Sequence, residues 1–586
     1  MTDILCNPID LPYRFQELTV GPFYRAVVRE GADPSLIRYR GRFYLFVSMS
    51  GGFWHSADLR DWEFVATPTL PTYDYAPDVR IIDDRMVVCA SHPTKNGNFY
   101  RTDDPLGGTW EEIEGTFTFW DPNLFQDDDG RVYFYWGCSD KKPIQGVELD
   151  RTTFRPIGEP VAIIHGDNRV HGWERRGRDF NPDNDKRSIF LRPFVSTNPF
   201  IEGAWMTKHA GRFYLQYSAP GTEMHTYSDG YYTADSPLGP FTYAPNSPFS
   251  SKPGGYLPGA GHGSTFQDEH GNWWHLATMR ISKAFMFERR IGMFPAGFDD
   301  DGVLFCNQEF ADYPMALPDG PADPWSLSAR SMLLNPGART TASSSDAEHG
   351  PKFAVDEDAT TWWVAADDTP GHWVQTELPE GSTVHSIQVN IAEHKLRPMV
   401  KRSRKETTLT ALWQRFINQS EPATEILVEA SADGSTWTTL HDSRPTGESR
   451  SHVFIELAQP TAYRFVRVTG FAQPYGGRFA ISGLRVFGLG DGQPPAPATA
   501  SARRTGPLNA EVTWTAVPGV QGYNLRYGLA ADKLYASWQL DARTSHDLGA
   551  LNAGHDYWVA VDSFNENGIT RGTPVHVAAQ PNAEGN

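Results

Sequence analysis

An all-β protein, a five-bladed β-propeller followed by two β-sandwiches, is what the sequence predicts, and three observations predict it. Hairpin-like strings recur five times between residues 32 and 278, two Pro-rich junctions divide the remainder of the chain, and long helical periodicity is scarce in a chain with 53 Gly and 44 Pro. The strings are ADPSLIRYRGRFYLFVS from Ala32, APDVRIIDDRMVVCAS from Ala76, WDPNLFQDDDGRVYFYWG from Trp120, IEGAWMTKHAGRFYLQYS from Ile201 and GHGSTFQDEHGNWWHLAT from Gly261. Each has a polar residue near its start, a short apolar run, a turn containing Gly or Asp, and a second run rich in aromatic and β-branched residues, which is the pattern of a β-hairpin. Stretches such as WHSADLRDWEFV from Trp54 and YTADSPLGPFTYA from Tyr232 add further strands to a unit. Units of this size pack radially because none can bury both faces alone.

Composition excludes several classes of function. A chain of 586 residues, 39% hydrophobic, is long enough for several cores. Its formal charge of -19 argues against nucleic acid or an anionic membrane surface as a partner, since both demand basic patches, and favours a neutral ligand. The four cysteines, Cys6, Cys89, Cys138 and Cys306, lack metal-ligand spacing and read as free thiols in or near the propeller core. The opening MTDILCNPIDLPYRF has no basic region followed by an apolar stretch, and no window has the apolar length of a membrane span. Taken literally this is a cytoplasmic protein, and a truncated start would make it secreted or periplasmic.

Two appendages are expected. Behind the junction ALPDGPADPW, residues 316–325, the run FAVDEDATTWW at 353–363, Trp373 opening WVQTEL, and ISGLRVFG at 481–488 resemble the discoidin, or coagulation factor 5/8 type C, family, a jelly roll that often binds sugars. Behind GDGQPPAPATAS, Trp514, the YNLRY run at 523–527 and Tyr557, placed as a tyrosine-corner residue, resemble a fibronectin type III sandwich. The expected boundaries are 1–322 for the propeller, 323–490 for the discoidin-like unit and 494–586 for the last. Exposed Pro-rich linkers imply that a chain ending near residue 325 keeps its catalytic site.

In a propeller the first strand of each blade lines the axis, so the residues that begin the repeats meet at one mouth. These are Asp33, Asp78, Asp121, Glu202 and His262. An Asp beside Pro often merely starts a turn. Four acids and a histidine at equivalent places ask for more, since clustered carboxylates raise one another's pKa unless a site uses them.

At these residues the chain resembles glycoside hydrolase family 43. The resemblance implies Asp33 as general base, Asp121 as pKa modulator and Glu202 as general acid. It also implies that His262 lies on the axis, where it could help hold a central cation such as a structural calcium ion, and that Arg280 in ATMRIS contacts substrate. No cofactor is implied for the chemistry itself. Asp78 is left as a sugar-hydroxyl acceptor or a structural residue. Trp54, Tyr75 and Trp120 flank the mouth and could stack on a sugar face, although an aromatic beside a blade is more often core. The charged insertion HGWERRGRDFNPDNDKRS, 171–188, could reach over the mouth, and its Glu174 is the rival to Glu202 as acid.

The expected activity is inverting, exo-acting release of terminal pentoses from plant-type polysaccharide or oligosaccharide, as an α-L-arabinofuranosidase, a β-D-xylosidase or both. The alternatives are a non-catalytic carbohydrate-binding propeller, a galactofuranosidase, and a galactan- or fructan-directed glycosidase. Fructan-type hydrolases carry WDPN-like strings too, but in their first repeat; here the first reads ADPS and the third WDPN.

Overall fold

The structure is a computed structural model in which residues 4–20, 24–92, 94–184, 198–281, 285, 287–327, 329–398, 413–420 and 422–580 are described. Among them the helices are single 3-10 turns and the rest of the regular structure is β. Five four-stranded antiparallel sheets follow one another, each with its strands side by side in chain order. Their first strands are Ser35–Tyr39, Tyr75–Ile82, Asn123–Gln126, Glu202–His209 and Gly259–Gln267. Each first strand touches the next, and Gly259–Gln267 returns to touch Ser35–Tyr39, so the sheets close a ring.

The hairpin turns follow from local chemistry. Arg40 and Gly41 (φ 48° and 81°), Asp83 and Asp84 (49° and 58°), and Ala210 and Gly211 (48° and 80°) are left-handed pairs between the first and second strands of their sheets. Two left-handed residues make the primed turn whose twist matches the flanking strands. The third and fifth sheets use the longer DDDG and DEHG loops instead, in which Gly130 and Gly271 both take φ 82°.

Apolar faces of neighbouring sheets make the core. Between the fifth and first sheets lie Leu36, Leu45, Trp54, Trp274, Leu276 and Met293. Trp54 is completely buried there, its ring 4.9 Å from that of Phe64 and 6.4 Å from that of Tyr13. This corrects the expectation that Trp54 stacks on a sugar: the alternation of its strand aims it between sheets. The ring is also tied at its ends, where Ile4–Leu5 pairs with Met315–Ala316 and the Asn7 amide donates to the carbonyls of Met293 and Ala311 at 2.9 and 2.7 Å.

Beyond the ring, two five-stranded sheets share one core that includes Trp363, Val374, Ile387, Val428, Val468 and Leu484. One strand leaves this pair. Trp413–Ile417 instead adds to Phe15–Val20, which pairs in turn with Tyr24–Arg29, so the later segment extends a hairpin that leads into the first sheet. The last unit packs a three-stranded sheet on a five-stranded one, with the Tyr557 hydroxyl accepting the Asn552 amide at 3.0 Å.

The insertion after the third sheet is tied, along its described part 171–184, both to the ring, where Arg176 pairs with Glu223, and to the last unit. It is held by the last unit: Gly172 donates to the Leu551 carbonyl at 3.0 Å, Arg175 to the Gly549 carbonyl at 2.6 Å, and Phe180 packs edge-on against Trp538. Residues 185–188 of that insertion lie outside the described residues.

Candidate active site

The chain enters the five first strands through one repeated backbone device. Asp33, Ala76, Asp121, Gly203 and His262 occupy equivalent places, with φ of 53°, 45°, 53°, 66° and 47°. Four of the five are not glycine, and a left-handed non-glycine residue costs about 1 kcal/mol or more, so surrounding structure must hold it. A hydroxyl at the end of the preceding sheet's second strand does so. Asp33 N donates to Thr278 Oγ1 at 2.8 Å, Ala76 N to Ser48 Oγ at 2.6 Å, Asp121 N to Ser91 Oγ at 2.8 Å and His262 N to Ser218 Oγ at 2.6 Å. These hydroxyls end the RFYLFVS, RMVVCAS, RFYLQYS and NWWHLAT runs, a signal present in the sequence and missed in reading it. In the third repeat Gly137 takes that place, and the thiol of the following Cys138 donates to Glu202 Oε2 at 3.3 Å.

This entry geometry brings Asp33, Asp121, Glu202 and His262 together, and it does not bring Asp78. The equivalent of Asp33 in the second repeat is Ala76. Asp78, two residues on, matches Ser35 and Asn123 and brackets the first strands of neighbouring sheets. Its carboxylate accepts from Ser35 Oγ at 3.3 Å, Asn123 Nδ2 at 3.1 Å and Leu124 N at 2.6 Å. With its oxygens so engaged and 2% exposure, Asp78 is a brace between sheets rather than a sugar acceptor.

The electrostatics separate the three acids. His262 Nδ1 lies 3.3 Å from Asp33 Oδ1 and 3.8 Å from Asp121 Oδ2. Burial alone would raise the Asp33 carboxyl, but Arg289, His262 and the Ser48 hydroxyl at 2.6 Å outweigh it and hold Asp33 below the usual carboxylate range. Asp121 goes the other way, pushed up to about 7 by burial and by the charges of Glu202 and Asp33, against the pull of His262. Glu202 is also raised, by burial first, although the Tyr227 hydroxyl donates to its Oε1. Burial would lower His262, yet Asp33, Asp121 and Glu202 together raise it, so it carries a proton more readily than a free imidazole.

Arg289 is the functional residue that sequence reasoning missed. It reaches Asp33 Oδ1 with Nη1 at 3.3 Å and Glu30 Oε1 with Nε at 3.0 Å, while the expected Arg280 pairs with it across the ladder. No repeat or spacing marks Arg289; only the ladder brings it to Asp33. Arg280 is half-buried, and its Nε is buried without a hydrogen-bond partner among the described residues. Tyr75 and Trp120 are half-buried neighbours at the mouth, their rings 6.3 Å apart. Glu174, the rival acid, is fully buried away from the trio, where it pairs with His171 Nδ1 at 2.9 Å and accepts from the Tyr217 hydroxyl and the Asp167 amide.

Asp121, Glu202 and His262 also offer ligand atoms within 4.8 Å of one another, a spacing and a donor set that one cation fits. Such binding would require neutral His262, so it and the protonated, ion-paired imidazole are alternative states.

A ring of four-stranded sheets thus gathers three carboxyls and a histidine at one mouth. Residues 24–304 match the family model described as Glycosyl hydrolases family 43. The chain is 30% identical over 144 residues to a β-xylosidase of Xylanibacter ruminicola, an overlap of 23% of this chain and 42% of that one. It is 23% identical over 357 residues to a xylan 1,3-β-xylosidase of a Vibrio species, covering 52% of this chain and 61% of the relative. The chain therefore spans less than two thirds of either relative. A solved structure described as a thermostable family-43 glycoside hydrolase is 20% identical, with 54% of this chain and 99% of that one covered and a TM-score of 0.41.

Proposed function

We propose that this chain is an inverting, exo-acting glycosidase that releases terminal pentoses, α-L-arabinofuranose or β-D-xylose, from oligosaccharide or polysaccharide side chains. One observation carries it. Three carboxyls from the first, third and fourth sheets converge on His262, with one held ionised and two held toward their protonated forms. Inversion needs that division of labour, an acid for the leaving oxygen and a base for a water on the opposite face. Glu202, oriented by the Tyr227 hydroxyl and the Cys138 thiol, gives its proton to the glycosidic oxygen as the C–O bond breaks. Asp33 takes a proton from the water that bonds to the anomeric carbon. Asp121 and Glu202 act as a coupled pair, in which the charge of one, once ionised, favours the protonated form of the other. The pentose assignment follows the family resemblance and the relatives described as β-xylosidase and xylosidase/arabinosidase.

The ring is then the five-bladed propeller of residues 1–322, followed by a discoidin-like sandwich over 323–490 and a fibronectin type III-like one over 494–586. The paired sheets and the Tyr557 hydrogen bond support that division. A cation held by His262 with Asp121 and Glu202 would need both carboxyls ionised, so the cation-bound form is a state distinct from the one in which Glu202 serves as acid.

The test uses aryl pentosides and anomeric NMR of the first product. We expect inversion, and a loss of at least about a hundredfold in kcat for both Asp33→Ala and Glu202→Ala. An activated leaving group, which needs little protonation, should partly restore Glu202→Ala and leave Asp33→Ala inactive. Retention of configuration, or equal loss on both substrates, would void the assignment.

A further inference from the structure

Residues that follow the ring reach its catalytic base. The strand Trp413–Ile417 lies against Phe15–Val20, with Leu18 opposite Arg415, and places the Arg415 side chain, 1% exposed, beside the completely buried Glu30. One nitrogen, Nη1, serves both Gln16 Oε1 at 2.8 Å and the Glu30 carboxylate, while the guanidinium lies 5.4 Å from the centre of the Tyr75 ring. The other oxygen of Glu30 accepts from Arg289 Nε and Nη2 at 3.0 and 2.6 Å. Arg289 then extends Nη1 to Asp33 Oδ1 at 3.3 Å and to Thr222 Oγ1 at 3.0 Å. The order Arg415, Glu30, Arg289, Asp33 alternates in sign, so each buried charge has an opposite charge beside it.

We propose that Arg415, supplied by the segment beyond the ring, is a positioning residue for the base, acting through Glu30 and Arg289, so that the catalytic site is complete only with that segment in place. The inference rests on the reading of Asp33 as base. Its physical ground is the cost of an uncompensated buried charge. Without Arg415, Glu30 has Arg289 as its one cationic hydrogen-bond partner among the described residues and draws the guanidinium fork toward itself, away from Asp33. A mere brace between two units would show in melting alone; a residue that holds the base shows in kcat as well.

The experiment compares Arg415→Met, Arg415→Lys and Glu30→Gln in the full chain, measuring kcat and KM on an aryl pentoside together with thermal melting. Arg415→Met and Glu30→Gln should each lower kcat about tenfold or more with little change in KM, since a small misplacement of a catalytic group is that costly. Arg415→Lys should recover most of the rate, because both hydrogen bonds leave from one nitrogen, which an ammonium can imitate. Wild-type kcat in either Arg415→Met or Glu30→Gln overturns the proposal. So does an Arg415→Lys variant as impaired as Arg415→Met, with melting lowered alike. If Arg415→Met does not fold, Glu30→Gln and Arg415→Lys still decide. Asp33→Ala and Glu202→Ala run beside them: if those keep full activity the reading of the site has failed, and if they collapse while Glu30→Gln does not, this inference alone has failed.

Discussion

Asp121 shows at the scale of a single residue how the site divides its acids. Asp33 and Asp121 share a left-handed φ of 53° and a following proline, yet Arg289 stands beside the first and Glu202 close to the second. The same residue type is therefore held low in one place and raised to about 7 in the other. Asp121→Asn keeps the shape and removes one carboxyl from the pair, so Glu202 should lose its proton at lower pH. A general acid works in its protonated form, hence the alkaline limb of the pH–rate profile should move to lower pH, while the acidic limb, set by Asp33, moves much less. Activity near pH 7 would fall and partly return in more acidic buffer. A uniform loss with both limbs unmoved would instead make Asp121 a direct ligand of the sugar. The identity of the trio was legible in the sequence because each member begins a repeat. The partners that set their charges, Arg289 and Cys138, were not, since they come from a ladder and a displaced strand end.

Elements meet through the residue two places beyond each left-handed entry. Ser35, Asp78 and Asn123 link the first strands of the first four sheets: Ser35 and Asn123 donate to Asp78, and Asn123 Oδ1 accepts the Met206 amide at 2.8 Å. Asp78→Ala would strand the Leu124 amide and the Asn123 side chain in the interior, at a cost of about 2 to 4 kcal/mol. Urea denaturation should register that loss, with kcat of the folded enzyme unchanged. A fall in kcat without loss of stability would return Asp78 to the role of sugar acceptor. The repeats were visible in the sequence, but their alignment around Asp78 was two residues out. An Asp-Pro in one repeat and a Pro-Asp in the next look alike as strings, and only the backbone turn at Ala76 shows which position faces the mouth.

Across the whole molecule the units are joined by buried charge as well as by linkers. Buried Arg485 donates to the Asp312 carbonyl at 2.6 Å, Gln388 to the Asn7 carbonyl at 3.1 Å, and Arg29 pairs with Glu393 at 2.9 Å. Cutting the chain at residue 325 would expose Arg29 and Glu30 and remove Arg415. The Pro-rich linkers suggested that such a chain keeps its site; the contacts give the opposite expectation. The 1–325 chain should lose at least about tenfold in kcat on a small aryl pentoside and melt at lower temperature than the full chain, because partners of buried charges are gone. Full activity in that truncated chain would show that the ring stands alone.

By itself the sequence determined the periodic features: five hairpins, the turns between them, the junctions, and the acids that open the first, third and fourth repeats. Those follow from local rules of alternation, turn chemistry and spacing, which a string records directly. The tertiary structure decided what depends on closure and docking. It set Ala76 rather than Asp78 at the mouth, placed Trp54 and Glu174 in the interior, carried the insertion at 171–184 to the last unit, and brought Arg289 to Asp33 and Arg415 to Glu30 across 256 and 385 residues of chain, respectively. Contacts at such separations arise only once strands from distant segments pair, and no local pattern records which side chain the pairing will set beside a buried charge.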